Sequence, residues 1–223
     1  MGYSTTVDKS HVDKQFDRII STIKETFGDT SERTVKLLKF YTDFEERVKT
    51  APASSKLNYH CAYSGGYQDH ILNVLDCSRM MKKLYEKMGG IIDFTDEELV
   101  FTALHHDLGK LGTLEDPYYL VQDSEWHRTN RLEVFKANDD AQYLDVNDGT
   151  IYLLQLYGIA VTQIEFLALK LTDGLYGNGA EAYLQQYGKG PFPMRNNLHR
   201  IMHWADHMAV SIENDPIRQK MTR

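Results

Sequence analysis

The sequence predicts an all-α protein folded as a single domain. Apolar residues recur at three- and four-residue spacings in one segment after another, and two capping boxes open such segments. No stretch reads as a strand, an internal repeat or a low-complexity tract. The 223 residues suit one fairly large domain. With 42% hydrophobic and 26% charged residues, neither disorder nor a fibrous repeat is indicated.

The first helix is expected from Ser10 to Phe27, where Val12, Phe16, Ile19, Ile20, Ile23 and Phe27 share one face. Ser31 caps a second, whose stripe is Val35, Leu37, Leu38, Tyr41, Phe44 and Val48, so that residues 1–50 form a helical hairpin. Thr50 to Lys56, with Pro52, is a loop. A long helix follows Gly65-Gly66, from about Tyr67 to Met88, with Ile71, Val74, Leu75, Met81 and Leu84 facing inward and His70 in its first turn.

Thr95 and Glu98 form a capping box ahead of Leu99, Val100, Phe101, Ala103 and Leu104, and this apolar run leads directly into His105-His106-Asp107. Gly109 and Gly112 end that helix, and the stretch to about Lys136 reads as mostly loop, a length that often carries function. A short helix is expected over Ile151 to Tyr157. The second capping box, Thr162 with Glu165, opens another before Phe166, Leu167, Leu169 and Leu171. After a turn-rich stretch with a short helix at Glu181 to Tyr187, Arg195 to Ile212 forms the last helix, carrying His199, His203, Asp206 and His207.

A net charge of −7 argues against a partner as polyanionic as long nucleic acid, while a local basic pocket would still hold a small phosphate ester. The most apolar run, Ile151 to Val161, is broken by Gln155 and Gly158 and falls short of the roughly 20 residues a membrane span needs. Residues Met1 to Lys14 lack the apolar core of a secretory signal, so a cytoplasmic protein without a membrane partner is expected. Cys61 and Cys77 match neither a metal knuckle nor a disulfide framework and are read as reduced, buried thiols.

Adjacent His106 and Asp107 are a weak signal alone, because neighbouring helical residues point about 100° apart. At a helix C-terminus that geometry relaxes, and imidazole nitrogen with carboxylate oxygen suits divalent transition metals. Further ligands are on offer in His70 and in Asp206. Asp206 sits among Trp204, Ala205, Met208 and Ala209, where an ionised carboxylate is costly unless paired or bound to a cation.

With Gly65-Gly66-Tyr67-Gln68-Asp69-His70, His105-His106-Asp107-Leu108-Gly109-Lys110 and Ala205-Asp206-His207 in view, the chain resembles the HD-domain metal-dependent phosphohydrolase superfamily over roughly residues 58 to 212. The resemblance implies a helical bundle with the metal site between central helices, metal ligands His70, His106, Asp107 and Asp206, and Lys110 facing the substrate phosphate. A bound divalent ion, whether Mn, Co, Ni, Fe, Zn or Mg, would lower the pKa of a coordinated water and polarise the phosphoryl oxygen.

His127 is the sole histidine between Asp107 and the final helix, which favours one ion, although a second stays open. His127 and Arg128 are read as phosphate contacts, with a second-metal role or plain exposure as alternatives for His127. Asp173 stands where related chains often have histidine, and is either a second-metal or ribose-directed ligand or a turn cap. Asp69 is a candidate for positioning water. His105 is left to packing or to a hydrogen bond behind the ligands, and His60 and His11 have no partner pattern.

His203 and His207 lack the glutamate of a zinc-protease helix, and no phosphate loop, serine elbow or cysteine–histidine arrangement appears. The expected function is hydrolysis of a small nucleotide, either a nucleoside monophosphate or a deoxynucleoside triphosphate. Because the glycine-led His70 motif also resembles exonuclease-associated members, a phosphodiesterase acting on a cyclic nucleotide or a short single-stranded 3′ end is the alternative. A non-catalytic nucleotide-sensing module is the third reading, and a homo-oligomer is left open.

Overall fold

Helix α1 (Lys9–Phe27) begins where the Asp8 carboxylate accepts the Ser10 backbone N–H, and it buries Phe16, Ile19, Ile23 and Phe27. Ser31 caps α2 (Glu32–Asp43) as expected. The chain then turns at Phe44 and restarts as α3 (Glu45–Thr50), so the expected hairpin is three helices rather than two. Phe40, Phe44 and Val48 all remain buried, which is why their spacing gave no hint of the break. Val35, assigned to the apolar stripe, is exposed.

The computed structural model describes residues 8–184 and 194–221. After α3 come α4 (Gly66–Lys87), α5 (Asp96–His105), a 3-10 turn (Leu108–Leu111), α6 (Glu125–Arg131), α7 (Val146–Leu156), α8 (Gln163–Leu171), a second 3-10 turn (Gly174–Tyr176), α9 (Glu181–Leu184) and α10 (Leu198–Met221). Helix takes 63% and strand 4% of the described residues, which makes this an all-α bundle. Among the described residues no helix is long and apolar enough to cross a membrane. The end of the expected Glu181–Tyr187 helix, and residues 1–7, lie outside the described residues.

Both capping boxes form: Thr95 and Glu98 open α5, and Thr162 and Glu165 open α8. α4 lies along α10, α5 packs between α4 and α8, and α7 rests on the first 3-10 turn. The core between them includes Ile71, Leu75, Leu99, Leu104, Leu108, Leu169, Ile201 and Ala205. Leu84, expected to face inward, is 52% exposed, and it is its neighbour Tyr85 that packs on the core and against Trp204.

The stretch read as loop is partly ordered. Two short strands, β1 (Tyr119–Val121) and β2 (Phe135–Ala137), pair antiparallel with Leu120 opposite Lys136, and α6 sits between them. Strands of three residues and a seven-residue helix are too short to leave a readable period. What marks α6 is its cap, the Ser124 hydroxyl accepting the His127 backbone N–H.

Candidate metal centre

Two glycines bring the first histidine into place. Gly65 takes a left-handed φ of 87° just before α4, and a Cβ on Gly66 would lie 2.0 Å from the Cys61 carbonyl oxygen. α4 can therefore start hard against the Cys61 turn, with His70 in its opening turns at 1% exposure. On α5, the last helical turn delivers His106, whose Nδ1 donates to the Ala103 carbonyl at 3.0 Å, since a carbonyl can only accept. That bond turns Nε2 inward.

His106 and Asp107 are also held from the far side. The Gly109 backbone N–H donates to Thr150 Oγ1 at 2.9 Å, and a Cβ on Gly109 would stand 2.1 Å from the Val146 carbonyl oxygen. The Gly-Lys tail is thus the place where the 3-10 turn meets the backbone of α7. α10 supplies Asp206 from the third direction, beside the buried Ala205 and Ala209.

These elements bring the four predicted ligands together. His70 Nε2 lies 3.2 Å from Asp206 Oδ1 and 3.5 Å from Asp107 Oδ2. His106 Nε2 lies 3.7 Å from Asp107 Oδ2 and 3.9 Å from Asp206 Oδ1. Donors about 2.1 Å from one ion stand about 3.0 to 3.4 Å apart; the donor atoms of His70, His106 and Asp206 all lie within 4.8 Å of one another, with Asp107 adjoining the two histidines.

The donor chemistry fits a cation as well. His106 Nε2 is buried without a hydrogen-bond partner, and its distances to the two carboxylates are too long for a hydrogen bond. With Nδ1 carrying the proton, Nε2 aims a lone pair at two negative groups, an arrangement a positive ion between them would resolve. Asp107, Asp206 and Glu213 bring three negative charges against the ammonium of Lys110 and the proton that His70 holds, and a divalent ion replacing that proton would balance the site. Buried His, Asp and Glu groups here are able to hold a metal ion.

The ionisation states follow from this crowding. Burial alone would depress His70, but hydrogen bonds with Asp206 and Glu213 and the charge of Asp107 lift it to about 9. Burial would raise Asp107, yet Lys110, His106 and His70 hold it well below the usual carboxylate range. Asp206 is likewise held low against its burial, chiefly by His70. Lys110 Nζ donates to Asp107 Oδ2 at 2.6 Å, and the negative charge of Asp107 overrides burial to keep it charged.

Lys110 also lines a cavity of about 390 Å³, together with Tyr118, Tyr119, Phe135, Pro52 and Ser64. Burial pushes the Tyr119 phenol up to about 12 against the pull of Lys110, so it stays a neutral donor. Cavities of this size take small molecules. Compared with models of known families, with curated proteins and with solved structures, the chain matches none.

The remaining candidates sit differently. Arg128 donates to Glu125 Oε2 at 2.6 Å and to the Gln122 carbonyl at 3.1 Å, and His127 Nδ1 pairs with Ser124 Oγ at 2.8 Å. Neither residue lines the cavity that Lys110 faces. Asp69 accepts from His11, Gln15 and Tyr63, and so ties α1 to α4. Asp173 accepts from Asn147 at 3.1 Å, and burial together with the charges of Asp107 and Asp206 raises its pKa.

His105 packs: its Nδ1 donates to the Phe101 carbonyl at 2.6 Å and its ring lies against Phe101 and Tyr41. Sequence reasoning missed Glu213 and His60. Glu213 stands seven residues after Asp206, two turns along the same face, and that spacing is the signal that would have found it. His60, whose ring lies 4.5 Å from that of His70, has no such periodic link.

Proposed function

We propose that this protein is a metal-dependent phosphohydrolase of the HD-domain type, acting on a small nucleotide. The observation that carries the reading is the convergence of His70, His106, Asp107 and Asp206 from three helices, with Lys110 joining that cluster to a cavity of small-molecule size. A divalent ion held by these four residues would supply an activated water and an electrophile for a phosphoryl oxygen.

The chain's own residues do the rest. Lys110 presents a permanent positive charge where the cavity meets the centre, and it offsets negative charge on nonbridging phosphoryl oxygens. Tyr119 offers a hydroxyl to the same anion, while Tyr118 and Phe135 give the walls an aromatic surface for a base. Asp107 holds Lys110 through its carboxylate, so ligand and phosphate contact are placed by one ion pair. A volume of about 390 Å³ favours a nucleoside monophosphate or a deoxynucleoside triphosphate over a long strand.

The test is a panel of nucleoside mono- and triphosphates, cyclic dinucleotides and short oligonucleotides, assayed with manganese, cobalt, nickel or magnesium. Asp107→Ala is expected to lose both metal and hydrolysis. Lys110→Ala is expected to keep metal and lose rate by about 10²-fold or more, as for a single charge-stabilising donor. Full metal retention by Asp107→Ala overturns the site assignment. Absence of product from every compound, with ligand-induced stabilisation retained, points instead to a sensing module.

A further inference from the structure

α10 grips His70 at both of its nitrogens. Asp206 Oδ1 lies 3.2 Å from Nε2, and two turns later the Glu213 carboxylate lies 3.0 and 3.2 Å from Nδ1. Because ionised carboxylates can only accept, both nitrogens donate as the site stands, Nδ1 to Glu213 and Nε2 to Asp206; an ion held by Asp107 and Asp206 would take the place of the Nε2 proton and leave the Nδ1 proton on Glu213. The Glu213 side chain is 6% exposed, and its Oε1 also accepts from Asn73 Nδ2 at 2.8 Å. Asn73 lies three residues beyond His70 on α4, so these two partners of Glu213 come from one helix face, and the Cys61 thiol approaches the same carboxylate. The His60 ring packs beside that of His70 and limits its rotation.

We infer that Glu213 is a positioning residue of the metal centre, fixing His70 with its proton on Nδ1 so that Nε2 is the nitrogen offered to the ion. The inference rests on the metal-centre reading above and adds a residue to it. A carboxylate behind a ligating histidine does two things: it sets the tautomer and ring angle, and it makes the ligating nitrogen more basic. Asn73 in turn holds the carboxylate, so the chain Asn73–Glu213–His70 ends at the ion.

His60, His70 and Glu213 are also close enough to hold a metal themselves. That arrangement would require His70 to ligate through Nδ1 and to give up its hydrogen bond to Glu213. It would also leave Asp107 and Asp206 facing the other edge of the ring without a cation. The existing hydrogen bonds favour Glu213 behind the ligand, not on the metal.

The experiment titrates cobalt(II) into the full chain and into Glu213→Gln and Glu213→Ala, following affinity and the visible absorption of the bound ion. Long-range ¹H–¹⁵N spectra of the zinc-loaded proteins then report which His70 nitrogen carries the proton. Glu213→Ala is expected to weaken cobalt by about 10- to 100-fold. Glu213→Gln, which keeps an acceptor, is expected to lose less and to preserve the Nδ1–H signal. Should Glu213→Ala fail to fold, the Glu213→Gln affinity and the wild-type Nδ1–H signal decide.

Equal affinity in all three proteins overturns the inference while leaving the centre intact. So does an anomalous cobalt peak on the His60 side of the His70 ring. A wild-type chain that takes up neither cobalt nor zinc overturns the metal centre itself.

Discussion

Gly109→Ala tests whether the Gly-Lys tail is a packing requirement or merely a flexible joint. An added Cβ would lie 2.1 Å from the Val146 carbonyl oxygen and 2.9 Å from two more backbone atoms. Ordinary contact begins at 3.4 Å, so the two backbones must part by the difference, 1.3 Å. Neither can retreat freely, since Thr150 ties them through Gly109 and Val146 begins α7.

Overpacking of this kind costs about 1–3 kcal/mol, occasionally more, and backbone against backbone places it at the upper end. Alanine recovers roughly 0.5–1 kcal/mol by restricting the unfolded chain, leaving a net loss of about 2 kcal/mol. Gly149→Ala is the matched control: its Cβ would sit 3.2 Å from the Gly109 Cα, a clash relieved by a few tenths of an ångström. Urea unfolding followed by far-UV circular dichroism measures both. Gly109→Ala is expected to lower the midpoint clearly and Gly149→Ala to change stability by less than about 1 kcal/mol. If Gly109→Ala unfolds within 0.5 kcal/mol of wild type, or the two variants are equal, the tail is not held by close approach.

Three other expectations follow from buried charge. Burial pushes His105 down to about 3, with Arg33 and His106 adding to the effect. The unfolded chain takes up a proton near pH 6.5 while the native state refuses it, so His105 adds stability that is complete above 6.5 and is lost as pH falls toward 3, about 2 kcal/mol of it by pH 5. His105→Phe should flatten the stability profile by that amount between pH 7.5 and 5, and parallel profiles would refute it. Glu165, fully buried, pairs with Arg33 at 2.6 Å, and the guanidinium lies 3.8 Å over the Phe101 ring. Glu165→Gln should cost about 3 kcal/mol by leaving a desolvated cation, and a double-mutant cycle with Arg33→Met should show coupling of at least about 1 kcal/mol. Asp69→Ala removes hydrogen bonds from His11, Gln15 and Tyr63. It should cost about 2–3 kcal/mol and speed amide exchange in α1, while cobalt affinity stays unchanged.

The helices that read clearly from sequence are those where local and tertiary demands coincide. Thr95 and Glu98, or Thr162 and Glu165, close a capping box within four residues, so the start of the helix is written where it occurs. The turn at Phe44 is not: Phe40, Phe44 and Val48 continue a helical spacing through it, because the break bends the chain around the core without exposing any of them. The β1–β2 pair escaped for the opposite reason. Its ladder is set by non-local partners such as Leu120 and Lys136, with the short helix α6 between them.

The same distinction separates the ligands from what surrounds them. Asp206 betrays itself locally, because a carboxylate between Ala205 and Ala209 has no cheap reason to be there. His127 and Arg128 invite a phosphate-binding reading for an equally local reason, their charge in a long polar segment. In the fold, Arg128 is spent on Glu125 and the Gln122 carbonyl. An exposed cation with a partner one turn away, as Arg128 has in Glu125, carries little information, whereas a carboxylate in an apolar helix must find its partner on another element, as Asp206 does in His70. A buried acid in an apolar helix is the better guide to chemistry, and continuing along its own face, from Asp206 to Glu213, leads to the next residue of the site.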